Sequence, residues 1–228
     1  MKKALIVGAS RGIGLGLVKE LAHRQWSTVG TVRPGSQTEL GAFATANPAL
    51  NVTTATVDIT LDQTVTDLQR ELADQRFDLI LVNAGIAPKD VPVSEMPAGE
   101  FSQVMLTNAF APVRFIERMA PLLNAHGTLA VTSSRQGSVS LNVRGGDDVY
   151  RASKAALNQL VRSYGASSPQ QALLLLHPGW VQTDLGRQSG QAPLTVEQSV
   201  SGLADVIERH LGEPGVWFRD YQDQIVPW

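Results

Sequence analysis

The chain has 228 residues, 43% hydrophobic and 18% charged, with a formal net charge of −2 and no cysteine. That length buries roughly 70% of the unfolded surface without a metal or disulfide staple, and the apolar content argues against wholesale disorder. The missing cysteine excludes disulfides, thiolate zinc sites and a cysteine nucleophile, and the near-neutral charge gives no electrostatic footprint for nucleic acid.

The apolar opening stops at Gly8, too short for the core of a secretory signal. No run of about 18 apolar residues follows, so the expectation is a soluble cytoplasmic protein without a membrane partner. Short apolar runs then recur at 3–7, 27–32, 51–57, 77–82, 127–132 and 172–177, with a weaker one at 215–218. Most are continuous Val/Ile/Leu segments, the pattern of strands buried on both faces in a parallel sheet. Helical patterns lie between them, among them 12–24, 61–75, 100–124, 149–165 and 195–211. This alternation predicts right-handed βαβ units and a single-domain α/β fold over residues 1–228, a doubly wound Rossmann-type parallel sheet with helices on both faces. Segments 87–99, 135–148 and 183–193 read as loops leaving strand ends, where such a sheet holds its ligand.

The first strand runs into Gly8-Ala-Ser10-Arg11-Gly12-Ile13-Gly14-Leu-Gly16 and then a helix. Glycines there permit a tight turn that brings amide N–H groups and a helix N-terminus to a pyrophosphate. The spacing departs from Gly-x-Gly-x-x-Gly, because Leu17 stands where the third glycine would be needed. The second strand ends at Arg33 with no acid before Glu39. Arg33 and Arg11 together favour the 2′-phosphate of NADP(H), with NAD(H) as the weaker alternative. Both arginines also admit a plain reading as solvent-facing side chains.

Further along come Asp58-Ile59 after the third strand, Asn83-Ala84-Gly85 after the fourth, and Asn108 in the next helix. Ser133-Ser134 ends the fifth strand, Tyr150-Arg-Ala-Ser-Lys154 opens a helix, and Pro178-Gly179-Trp180-Val181-Gln-Thr183 follows the sixth. In this order the motifs resemble the short-chain dehydrogenase/reductase family along nearly the whole chain. His-Pro-Gly-Trp-Val-x-Thr and the Ile225-Val-Pro-Trp228 ending resemble its C-factor and sniffer-like carbonyl reductase branch.

The resemblance implies an NADP(H)-dependent carbonyl reductase acting on a small carbonyl or alcohol, with Tyr150 as general acid/base, Lys154 beside it, Ser134 (rather than Ser133) holding the substrate oxygen and Asn108 holding a water towards Lys154. It also implies that Asp58 and Ile59 flank the adenine and that Asn83, with Ala84 and Gly85, steadies the cofactor site. Thr183, beside Pro178, Gly179 and Val181, would bind the nicotinamide amide. A homodimer or homotetramer would pair through 100–124 and 149–165.

Plainer readings stand beside these: an N-cap for Asp58, a turn residue for Asn83, a capping or solvated hydroxyl for Thr183. Ser134 lies sixteen positions before Tyr150, about three more than the usual family spacing, which the 135–148 loop would absorb. Four residues put Tyr150 and Lys154 on one helix face. An ammonium about 4 Å away at an effective dielectric of 20 would supply the roughly 4 kcal/mol that brings a tyrosine from about 10 to 7. The four histidines have no metal-ligand spacing, so no metal is expected. The competing class is a dinucleotide-binding sensor or signalling protein with the same fold and little turnover.

Overall fold

The computed structural model describes residues 1–35, 38–187 and 190–228. Seven strands form one sheet in the order β3-β2-β1-β4-β5-β6-β7, every pairing parallel: β1 Lys3–Val7, β2 Ser27–Val32, β3 Val52–Thr56, β4 Phe77–Val82, β5 Leu123–Thr132, β6 Ala172–His177 and β7 Gly215–Asp220. The inner strands are buried almost throughout, as their uninterrupted apolar sequence requires, while the edge strand β3 keeps one buried residue in five.

Each face carries its own apolar layer. Leu15, Leu17, Val18 and Leu21 of α1 (Gly12–His23), Leu40 of α2 (Glu39–Ala46) and Val200, Leu203 and Ile207 of α8 (Val196–Arg209) cover one side. Val65 and Leu68 of α3 (Asp62–Glu71), Phe115 and Ile116 of α5 (Ala111–Met119), and Leu157 and Val161 of α6 (Asp148–Ser167) cover the other. The strand order reverses between β1 and β4, and a crevice opens there beyond the carboxyl ends of the strands.

The helical reading of 100–124 is corrected. The chain forms α4 (Ala98–Met105), a π turn (Leu106–Phe110), α5, and a 3-10 turn (Ala120–Leu122), and Asn124 already belongs to β5. Pro112 explains the break, because it has no N–H to return to the Asn108 carbonyl four residues back. Pro121 ends the helical run in the same way. The 183–193 loop contains one helical turn, α7 (Asp184–Arg187), and residues 188 and 189 lie outside the described set.

Candidate active site

The crevice is a cleft of about 1180 Å³, larger than the usual small-ligand pocket and roomy enough for a dinucleotide with a substrate. Its floor is the turn from β1 into α1. Gly8 sits at φ +83°, a left-handed conformation that favours glycine. Gly14 is pressed against the same turn, where an added Cβ would stand 2.2 Å from the Gly8 carbonyl oxygen and 2.9 Å from Asn83 Nδ2. Ser10, Arg11, Gly12 and Ile13 line the cleft above it. Gly14 acts from behind the wall, holding the turn's shape.

Asn83 locks the turn to the sheet. Its Nδ2 donates to the Gly8 carbonyl (3.2 Å) and its Oδ1 accepts from Thr132 Oγ1 (3.0 Å), tying β1, β4 and β5 together. Ala84 and Gly85 continue the lining. Asp58 does not cap α3; its Oδ1 accepts from the Thr60 amide (2.9 Å) and hydroxyl (2.6 Å), while it and Ile59 face the cleft. Thr183 caps α7, accepting from Gly186 N at 3.1 Å, and a side chain at Gly12 would meet its Cγ2 at 3.3 Å. Pro178, Gly179 and Val181 line the same wall.

Arg33 lines the cleft beyond β2 and has no ion-pair partner among the described residues. Arg11 is engaged differently from the expectation, since its guanidinium pairs with Asp184 Oδ2 at 3.0 Å across the mouth. Glu39 also lines the cleft at the start of α2, so the Arg33 end is not free of carboxylates.

At the opposite end, Ser134 and Tyr150 line the same stretch of the cleft wall, the serine hydroxyl beside the phenol. Ser133 points elsewhere: its hydroxyl donates to Asn158 Oδ1 at 2.6 Å inside the core. Burial pushes the Tyr150 phenol up to about 12, with Ser134 opposing and the Asp147 charge adding to the rise. Lys154, 4% exposed, donates to the Thr132 carbonyl at 2.9 Å, and burial lowers it to about 8. Its Nζ lies 5.9 Å from the Tyr150 ring centroid. The expectation that this lysine alone brings the phenol near neutrality meets an opposing effect, since burial of the phenol is the largest cause of its shift and raises it.

Asn108 is fully buried in the π turn, behind the cleft. Its Oδ1 accepts from Ile86 N (2.8 Å), and its Nδ2 donates to Ile86 O (2.7 Å) and Ser153 Oγ (3.0 Å). Ser153 in turn donates to the Tyr150 carbonyl at 2.7 Å, so Asn108 couples the loop after β4 to the start of α6. A Cβ on Gly85 would stand 3.5 Å from Asn108 Oδ1 and 3.6 Å from Lys154 Nζ, so both polar atoms border one small space.

Sequence reasoning missed Gln103, Thr107 and His177 as cleft residues, and it placed Arg135 and Gln136 there only as part of the 135–148 loop. His177 ends β6 as expected yet also faces the cleft, its imidazole lowered to about 4 by burial and the neighbouring Arg135, with Asp220 opposing. The signals for Arg135 were its place directly after Ser134 and at the head of the 135–148 loop.

A family model described as short chain dehydrogenase matches residues 2–193. The structure superposes on that of a short-chain dehydrogenase/reductase from Burkholderia multivorans with bound NADP, at 39% identity and TM-score 0.95, covering 100% of this chain and 99% of the other. It also superposes on the carbonyl reductase Sniffer of D. melanogaster at 31% identity and TM-score 0.84, with both chains fully covered. C-signal of Myxococcus xanthus is 37% identical over 155 residues, 66% of this chain and 92% of the relative. With motifs, sheet order and relatives in agreement, the chain belongs to the short-chain dehydrogenase family, in its C-factor and sniffer-like branch.

Proposed function

We propose that this protein is an NADP(H)-dependent oxidoreductase that reduces the carbonyl group of a small molecule, Tyr150 supplying the proton. The observation that carries the reading is the placement of Ser134, Tyr150 and Lys154 together, the lysine one helical turn on from the tyrosine, in the wall of the cleft whose floor is the glycine turn. The residues fit the cofactor. The Gly8–Gly14 approach leaves no room for side chains where a pyrophosphate would rest, and Arg33 offers an unpaired guanidinium for a 2′-phosphate. The NADP bound to the Burkholderia relative and the carbonyl reductase activity named for Sniffer support the same reading.

When bound, the cofactor supplies or accepts a hydride. The protein's own groups handle the oxygen and the proton. Ser134 Oγ already accepts from Gln136 N (3.1 Å), which leaves its hydrogen to donate to a substrate oxygen. With its pKa at about 12, Tyr150 keeps its proton at neutral pH and donates it to the alkoxide formed on reduction. Lys154, at about 8, is mostly charged at pH 7 and holds positive potential beside the ring.

Running the reaction backwards requires phenolate. Moving the phenol from about 12 to 7 takes about 7 kcal/mol, more than the roughly 4 kcal/mol that an ammonium even as close as about 4 Å supplies at an effective dielectric of 20. The site is thus poised for reduction at neutral pH, and oxidation gains from higher pH and from the positive charge of the oxidised nicotinamide. Asn108 acts as a positioning residue through Ile86 and Ser153.

The likeness to C-signal favours a second reading, a dinucleotide-binding signalling protein with little turnover. Coenzyme oxidation by the purified protein across ketones, aldehydes and quinones, with NADPH and NADH side by side, separates the two. Turnover with NADPH preferred supports the reductase. NADPH binding without turnover of any carbonyl favours the signalling reading.

A further inference from the structure

Most arginines in this protein reach a carboxylate, a main-chain carbonyl or an aromatic ring. Among the described residues, Arg33, Arg135 and Arg144 have no such partner, and two of these three, Arg33 and Arg135, line opposite ends of one cleft. Arg33 is accounted for by the cofactor reading above; Arg135 is not. We infer that Arg135 and His177 form an anion subsite, and that the carbonyl substrate carries a carboxylate. The inference rests on the proposed reductase function and names the substrate class of that site.

The placement is set by the backbone. Ser133 N donates to Leu176 O at 2.8 Å, which brings the ends of β5 and β6 side by side. Arg135 follows the serine that would hold the substrate oxygen and begins a 3-10 turn, Arg135–Gly137, whose path is fixed by Gln136 N donating to Ser134 Oγ. His177, on the neighbouring strand end, is held through its carbonyl by Tyr221 N at 3.0 Å. Its Nδ1 is buried and has no hydrogen-bond partner among the described residues, while the residue itself lines the cleft. The imidazole is neutral at physiological pH, so it carries one N–H to donate beside the guanidinium.

No carboxylate competes for Arg135. Asp147 and Asp220 lie nearby but do not line the cleft: Asp147 Oδ2 accepts from Gln136 Nε2 (2.7 Å), and Asp220 Oδ1 accepts from Gln222 N and Gln224 N (both 2.9 Å). Of the acids that do line it, Glu39 and Asp58 belong to the β2–β3 end and Asp184 is paired with Arg11. The four residues outside the described set are serines and glutamines. A planar guanidinium suits a carboxylate in two-point contact. With the carbonyl oxygen at Ser134 and Tyr150, the carboxylate would sit at Arg135 and pass through the reaction unchanged. Hydride adds to the carbonyl carbon, and the C=O bonding pair takes the Tyr150 proton.

The test compares matched pairs that share one carbonyl: 4-formylbenzoate against its methyl ester, and phenylglyoxylate against its methyl ester. They are assayed with NADPH on the wild type, Arg135→Gln and His177→Asn. The wild type should prefer each acid over its ester by about tenfold to a hundredfold in kcat/KM, the range of a charge-assisted contact, and Arg135→Gln should collapse that ratio toward one. An ester preference in the wild type, or a ratio untouched by Arg135→Gln, overturns the inference. So does a weakened NADPH affinity with the ratio intact, which would assign the guanidinium to the cofactor. If no carbonyl is reduced, the reductase reading fails by itself, and benzoate titrated into the NADP+ complex decides the subsite. Binding weakened at least tenfold by Arg135→Gln supports it; absent or unchanged binding refutes it.

Discussion

Lys154→Met exchanges a buried ammonium for an apolar side chain of similar length, and the structure indicates how much that changes. Burial lowers the lysine from 10.5 to about 8, so keeping it charged at pH 7 costs the folded state about 3 kcal/mol. Its one protein hydrogen bond, to Thr132 O, offsets about 1 kcal/mol. The variant should therefore be about 2 kcal/mol more stable than the wild type at pH 7, while losing nearly all turnover. The pH dependence is specific. Between about 8 and 10.5 the unfolded chain binds more protons than the folded one, so wild-type stability rises with pH in that window. At pH 9.5 the cost of the charge has fallen to about 1 kcal/mol and the two proteins should be nearly equal. Urea unfolding of both at pH 7.0 and 9.5 measures this. A variant less stable at pH 7, or a difference that does not narrow at pH 9.5, would refute the reasoning that Lys154 is kept for the reaction against the interest of the fold.

Other outcomes follow from the same geometry. Gly14→Ala places a methyl 2.2 Å from the Gly8 carbonyl oxygen and forces the turn open, so NADPH affinity, read by fluorescence titration, should fall by at least tenfold. Arg33→Gln should weaken NADPH by about tenfold to a hundredfold and leave NADH nearly unchanged; equal losses would show that the side chain does not meet a 2′-phosphate. His177 is lowered from 6.5 to about 4, so the unfolded chain binds more protons between those values, and native stability is lost as pH falls through the window. His177→Gln should remove about 3 kcal/mol of that loss between pH 6.5 and 4, measured by denaturant titration against the wild type.

The strands were legible because doubly buried strands must be apolar throughout, and β1, β2, β4 and β6 stand where the Val/Ile/Leu runs put them. Helix α2 escaped notice because it buries a single residue, Leu40, and so has little amphipathic pattern to read. The π turn at Asn108 depends on Pro112 interrupting the ladder and on Ile86 arriving from another segment, and only the proline is visible in sequence. The glycine turn, Ser134, Tyr150 and Lys154 could be picked out by motif and spacing. Their energetics could not, since the rise of the phenol comes from the layers packed around it. Arg135 and His177 reach the same cleft only because the ends of β5 and β6 pair, a long-range contact that no local pattern records.

Tyr150→Phe is the most direct test of the central claim, because it removes one oxygen and leaves the glycine turn, Arg33 and Lys154 in place. The account predicts that the variant binds NADPH as the wild type does and reduces a good carbonyl substrate at least a hundredfold more slowly, the range of a lost general acid. Turnover within a few-fold of the wild type, at equal cofactor occupancy, would contradict it.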